Sequence, residues 1–141
     1  MPINFFFDGA KLKLNDTKKL KQFIKQMFAN EGKQADVINY IFCSDQVLLK
    51  INQMYLEHDY YTDIITFELS ETNSPIEAEI YISTERVKDN ADLLSQKFEN
   101  ELHRVMFHGV LHLCGFKDKT ASQKLKMRKK ESTYIELYNS I

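Results

Sequence analysis

Residues 76–83 read IEAEIYIS. Ile76, Ala78, Ile80 and Ile82 alternate with charged or polar neighbours, the period-two pattern of a strand with one buried face. Residues 62–69, TDIITFEL, form a second strand-like segment, and ETNSP at 71–75 separates the two with turn-forming residues. Towards the N-terminus, INFFF at 3–7 reads as a short buried strand closed by Asp8 and Gly9, and VINYIFCS at 37–44 as another, rich in branched and aromatic residues. Between them Leu20, Phe23, Ile24, Met27 and Phe28 recur at helical spacing from a cap at Asn15 to a stop at Gly32. After Ser44 or Asp45, Val47, Leu48, Ile51, Met54 and Tyr55 give a second helix an apolar face.

The C-terminal half is helical. A helix starts at Ser83 or Thr84, another runs from Phe98 to Cys114, and a third from Ala121 through Tyr138 with Leu125, Ile135 and Leu137 among its apolar positions. The order strand, helix, strand, helix, two strands, helices predicts one α+β domain over residues 1–141, with a mixed sheet of about four strands packed with helices. No internal repeat interrupts it. The length fits one domain, since a chain of 141 residues, 43% of them hydrophobic, buries roughly two thirds of its unfolded surface.

The start, MPINFFFDGAKLKL, has no basic leader, and no stretch reaches the about 18 apolar residues that a spanning helix needs. Cys43 and Cys114 form no C-x-x-C pair and no disulfide framework, which fits a reducing compartment and buried thiols. A soluble cytoplasmic protein without membrane contact is expected.

The formal net charge of −1 conceals an asymmetry. Residues 57–101 carry twelve acidic and three basic side chains, whereas 102–141 carry eight basic and three acidic. The basic excess is concentrated in KDKTASQKLKMRKK, and Lys119, Lys124, Lys126, Arg128 and Lys130 are candidate phosphate contacts.

Immediately before that segment stands HGVLHLCGFKDK, residues 108–119. His108 and His112 are four apart, on one helix face, so both imidazoles can reach a shared point. Arg104, one turn back, falls on the same stripe, while Leu102, Val105, Met106, Gly109 and Leu113 fall on other rows. Gly115 can end the helix with a left-handed turn, and Asp118 can then supply a third donor. The pattern H-x-x-x-H-x-x-G-x-x-D has metzincin-type spacing with aspartate as the last ligand. His103 and His58 lie outside it and read as structural or surface residues. The site residues expected to hold one divalent ion, zinc by their ligand chemistry, are therefore His108, His112 and Asp118. Three protein ligands leave a position open for catalysis. A protease of the H-E-x-x-H kind would carry its general base where this chain has Gly109.

The stretch HGVLHLCGF resembles the signature H-G-x-L-H-L-x-G-[YF] of the YbeY-type rRNA maturation endoribonucleases, and INQMYLEHDYYTDIITF at 51–67 is similar to their second motif, with AEIYIS between the two. The resemblance implies a single-strand-specific metal-dependent endoribonuclease acting late in small-subunit assembly, at the 3′ end of the rRNA, and in ribosome quality control. It implies single-stranded rRNA and the small ribosomal subunit as partners. Three positions depart from the pattern: Asp118 stands where a histidine ligand is common, Leu56 where an arginine is common, and Ala78-Glu79 where Gly-Asp is common. The carboxylate shifts the site towards harder metals, and Arg104 or Arg86 becomes the candidate for the missing guanidinium. The competing readings are a metalloprotease or amidase with a relocated base, a non-haem iron oxygenase with a two-histidine, one-carboxylate set, and a non-catalytic ribosome-assembly module with a structural metal.

Overall fold

The computed structural model describes residues 2–141, so Met1 of the expected domain lies outside it. Four strands and five helices follow one another as β1 (Ile3–Asp8), α1 (Thr17–Asn30), β2 (Ala35–Cys43), α2 (Asp45–Leu56), β3 (Ile64–Glu68), β4 (Ile76–Ser83), α3 (Thr84–Leu93), α4 (Phe98–Leu113) and α5 (Ala121–Asn139). They build the expected α+β fold around one mixed sheet of order β1-β2-β4-β3. β1 and β4 both run parallel to β2, with Phe5 and Ile80 each opposite Tyr40. β3 closes the other edge antiparallel to β4, with Thr66 opposite Ile80.

The alternation in IEAEIYIS sorts the sheet's two faces. Ile76, Ala78, Ile80 and Ile82 enter the main core with Leu20, Ile24, Met27 and Phe28 of α1 and the apolar rows of α4 and α5. On the opposite face Tyr81 packs with Ile65, Phe67 and Leu48 beneath α2. Burying a side chain of this size contributes about 1.5–3 kcal/mol, so the main core is the principal source of stability. Tyr40, the most deeply buried of its three tyrosines, donates its hydroxyl to the Met106 carbonyl at 2.9 Å, so that hydroxyl is not left unpaired.

Several helix details differ from the sequence expectation. α1 starts after Asp16, which is left-handed (φ 51°) and makes no side-chain cap, so Asn15 is not the cap. On α2 only Leu48 and Asn52 are buried, while Met54 and Tyr55 are exposed. That helix touches the sheet along a single row, and Asn52 uses its amide to donate to the Tyr60 carbonyl at 2.9 Å, tying down the following loop. On α5, Leu125 and Leu137 are 61% and 47% exposed and Ile135 is half-buried. The buried row is instead Met127, Glu131, Tyr134 and Tyr138, because that is the side which α4 covers.

Candidate metal centre

α4 is the element that carries the site, and the sheet dictates how it lies. A Cβ at Gly109 would stand 3.1 Å from Ile80 Cδ1 and 3.2 Å from Ile64 Cδ1, so glycine lets the helix settle closely on β3 and β4. His108 is thereby turned to the neighbouring side, towards α5. α4 ends at Leu113, and two residues on the chain turns at Gly115, whose φ of +102° an L side chain rarely adopts. The chain then reverses into a capping box, in which Thr120 Oγ1 accepts from the Gln123 amide and Gln123 Oε1 accepts from the Thr120 amide, each at 3.1 Å. Asp118 is held between these two fixed points.

The result brings His108 and Asp118 together: Nε2 of the imidazole lies 3.3 Å from Oδ2 of the carboxylate. On the ring's other side, Nδ1 meets Oε2 of Glu131 at 2.7 Å. With Nδ1–H donating to that carboxylate, Nε2 is the nitrogen left facing Asp118, the orientation that metal-binding histidines commonly use. His112 is exposed, and the cavity that His108 and Asp118 line does not include it. Among the described residues, no three His, Cys, Asp or Glu side chains already converge as a metal-holding group.

Glu131 is 4% exposed and has further partners: Arg104 donates to it, from Nη1 to Oε1 at 3.1 Å, and Arg128 Nη1 lies 3.9 Å from the same oxygen. Arg104 lies 3.5 Å through Nε from Glu101, whose buried Oε1 has no hydrogen-bond partner among the described residues. Burial pushes the Glu101 carboxyl up, with Arg104 opposing. Burial likewise raises Asp63, against the pull of His108. For His108 itself burial favours the neutral ring, yet the Glu131 hydrogen bond and the charges of Glu131, Asp118 and Asp63 outweigh it and the net direction is upward.

These groups open onto a cavity of about 640 Å³ that His108, Asp118, Arg104, Lys124 and Arg128 line together. That volume falls in the range of small-ligand sites, about 300–1,000 Å³. The basic segment divides here. Lys124 and Arg128, four residues apart, line the cavity. Lys126 and Lys130 lie over the Phe116 ring instead, and Lys130 pairs with Glu31 at 3.1 Å. Lys119 is exposed beside the capping box.

Arg86 does not supply a guanidinium to this site. It grips Asp45, with Nη2 at 2.6 Å from Oδ2 and Nε at 3.3 Å from Oδ1, and lies over the Tyr61 ring. His103 is buried between Phe107 and Tyr138, and His58 is exposed against the Tyr60 hydroxyl. Cys43 is buried and Cys114 half-buried, and burial pushes both thiols up to about 12. Glu131, Glu101 and Asp63 are the members that sequence reasoning missed. A signal existed for Glu131: it interrupts the row Met127, Tyr134, Tyr138, and a charge on a core-facing row implies a buried partner.

A family model described as Endoribonuclease YbeY matches residues 7–139. The chain belongs to the endoribonuclease YbeY family. Relatives bearing that name include one from Cytophaga hutchinsonii, 45% identical over 135 residues that span 96% of this chain and 94% of the relative. Another, from Christiangramia forsetii, is 44% identical over 137 residues, 97% of this chain and 94% of that protein. The solution structure of TM1509 from Thermotoga maritima superposes with a TM-score of 0.65 at 27% identity, covering 97% of this chain and 89% of that one. Gly109, the position where an H-E-x-x-H protease carries its base, is in this chain a packing residue facing Ile64 and Ile80.

The donor chemistry of the site fits a divalent cation. Nε2 of His108 and Oδ2 of Asp118 are 3.3 Å apart, close to the edge that two ligands at about 2.0–2.2 Å from a tetrahedral ion subtend.

Proposed function

We propose that this chain is a cytoplasmic, metal-dependent, single-strand-specific endoribonuclease that processes the 3′ end of small-subunit rRNA late in assembly and takes part in ribosome quality control. The observation that carries the reading is the His108–Asp118 pair at 3.3 Å, opening into a cavity that Lys124 and Arg128 also line. Relatives named as endoribonucleases, matched over nearly their whole length, support the reaction class, and the motif resemblance supports the ribosomal substrate. Among the described residues no helix is long and apolar enough to cross a membrane.

His108 and Asp118 would hold the ion, with His112 as the third donor expected from the sequence, and zinc is the choice that best suits two imidazoles and one carboxylate. Bound there, it would lower the pKa of a water towards about 7 and polarise a phosphoryl oxygen. The chain's own residues do the rest. Glu131 fixes the His108 tautomer, so Nε2 is always the nitrogen that faces Asp118. Arg104 offsets the buried Glu131 and Glu101 charges and keeps the acidic floor from repelling a phosphodiester. Lys124 and Arg128 supply the cations that seat the phosphates.

The protease reading loses its usual base, because position 109 is glycine, and a Cβ there would already press on Ile64 and Ile80. The deciding experiment is cleavage of single-stranded RNA and of an unfolded protein by the purified chain and by Asp118→Ala, with metal content measured on both. Expected are RNA cleavage that disappears on metal removal and a variant depleted in both metal and activity. Proteolysis without RNA cleavage would overturn the reaction class, and wild-type RNA cleavage persisting after complete metal removal would overturn the mechanism.

A further inference from the structure

The cavity has an uncharged side. Leu93 closes α3 and Leu94 follows it, and both line the same cavity as Lys124 and Arg128. They are 82% and 49% exposed, in a cavity whose other named side chains are mostly charged or polar. The turn that displays them is built, not frayed. The Leu94 amide donates to the Asn90 carbonyl at 3.0 Å, the Gln96 amide to the Ala91 carbonyl at 2.9 Å, and Ser95 takes a positive φ of 52° between them. Two adjacent exposed leucines on a hydrogen-bonded turn at a cavity are an apolar surface that the fold leaves largely uncovered.

We infer that Leu93 and Leu94 form a ledge for one nucleobase of the RNA, adjacent to the phosphate held by Lys124 and Arg128; this rests on the endoribonuclease reading. A nucleotide joins an anionic phosphate to a flat base with apolar faces, and the cavity offers cations and apolar surface to match. In a duplex both faces of a base are covered by stacked neighbours, so only an unpaired nucleotide can lay a face on the leucines. The ledge therefore selects single strands by shape. It presents no donor or acceptor of its own, because leucine has none, so it tolerates any base. The neighbouring amide, that of Asn90, is already directed at Asp63, Nδ2 to Oδ2 at 3.4 Å.

The test is a cycle between protein and substrate, using the metal-loaded full chain. A short single-stranded oligoribonucleotide with one cleavage site, and a set of copies each carrying one abasic ribose, are cleaved by wild type, by the double variant Leu93→Ser/Leu94→Ser and by Leu93→Met/Leu94→Met. The serine variant is expected to raise KM on the intact strand about tenfold, the scale of one partly buried leucine-sized contact. One abasic position should impose the same loss on wild type and add nothing to the serine variant, while the methionine variant keeps the wild-type KM. Equal KM for wild type and the serine variant, or losses that add at every position, overturns the ledge. A shift in oligomeric state with additive losses would assign the leucines to a second copy of the chain and likewise overturns it. Failure of wild type to cleave any strand defeats the endoribonuclease reading itself, which separates the two failures.

Discussion

Glu131 on α5 accepts a hydrogen bond from Nδ1 of His108 on α4 at 2.7 Å, across 23 residues of sequence. This contact is what ties the last helix to the site. It decides which ring nitrogen faces Asp118, and it places a buried negative charge where Arg104 must answer it. Glu131→Gln keeps the shape and removes the charge. The expected outcome is a metal affinity lower by about 10–100-fold with a parallel loss of RNA cleavage at limiting metal, and recovery of part of the rate when metal is in excess. Metal titration followed by activity at two metal concentrations checks it.

Gly109 can be tested for packing independently of any chemistry. Gly109→Ala gains about 1 kcal/mol of helix propensity and meets the tips of Ile80 and Ile64 at 3.1–3.2 Å, an overpacking that costs about 1–3 kcal/mol. A net destabilisation of about 1 kcal/mol is expected. Gly109→Glu, the change that would restore the protease spelling, should destabilise by at least about 3 kcal/mol, because it buries a carboxylate against two isoleucines without a partner. Urea denaturation of both variants measures the difference, and no proteolytic activity should appear in the second.

The division of the basic segment has a salt signature. Replacing Lys124 and Arg128 together by glutamine should weaken single-strand binding and make its dependence on log salt shallower by about 1.4, two contacts at about 0.7 each. The pair Lys126→Gln/Lys130→Gln should leave that slope unchanged. Its cost falls on stability, through the half-exposed Lys130–Glu31 pair, and should stay within about 1 kcal/mol. Binding titrations at several salt concentrations distinguish the two pairs.

His103 gives the fold a pH dependence separate from the metal centre. Buried against Phe107 and Tyr138, it is held below the ordinary histidine value of 6.5 chiefly by burial, with Lys19 adding to the effect and Glu99 opposing it. Because the folded state disfavours the charged ring, the unfolded chain binds more protons in this range, and stability falls as pH drops from about 6.5 towards the lower folded value. Above that window the group contributes no slope. His103→Phe preserves the aromatic contacts and removes the titration, so its melting temperature should fall less than that of wild type between pH 6.5 and pH 5. Parallel thermal melts across that range decide it.

The alternation in IEAEIYIS, the helical rows of α1 and α4, the histidine spacing and the turn at Gly115 were all legible in the sequence. Each is a property of a few neighbouring residues whose backbone conformation sets which side chains share a face. The capping box at Thr120 and Gln123 is a local pattern of the same kind. Which of α5's rows is buried was not legible in the sequence. Leu125 and Leu137 are as apolar as any core residue, yet α4 covers the row of Met127, Glu131 and Tyr134.

The sequence by itself determined the class of fold, the order of its elements and the spacing of the histidines along α4. Only the tertiary structure decided that Glu131 orients His108, that Arg104 offsets buried carboxylates, that Lys124 and Arg128 face the cavity while Lys126 and Lys130 turn to Phe116, and that Leu93 and Leu94 border the same cavity. The physical reason is one of range. Periodicity and turn chemistry act within one element, whereas hydrogen bonds, ion pairs and cavity walls here join α3, α4 and α5, whose relative placement the close approach of α4 to the sheet at Gly109 helps to fix.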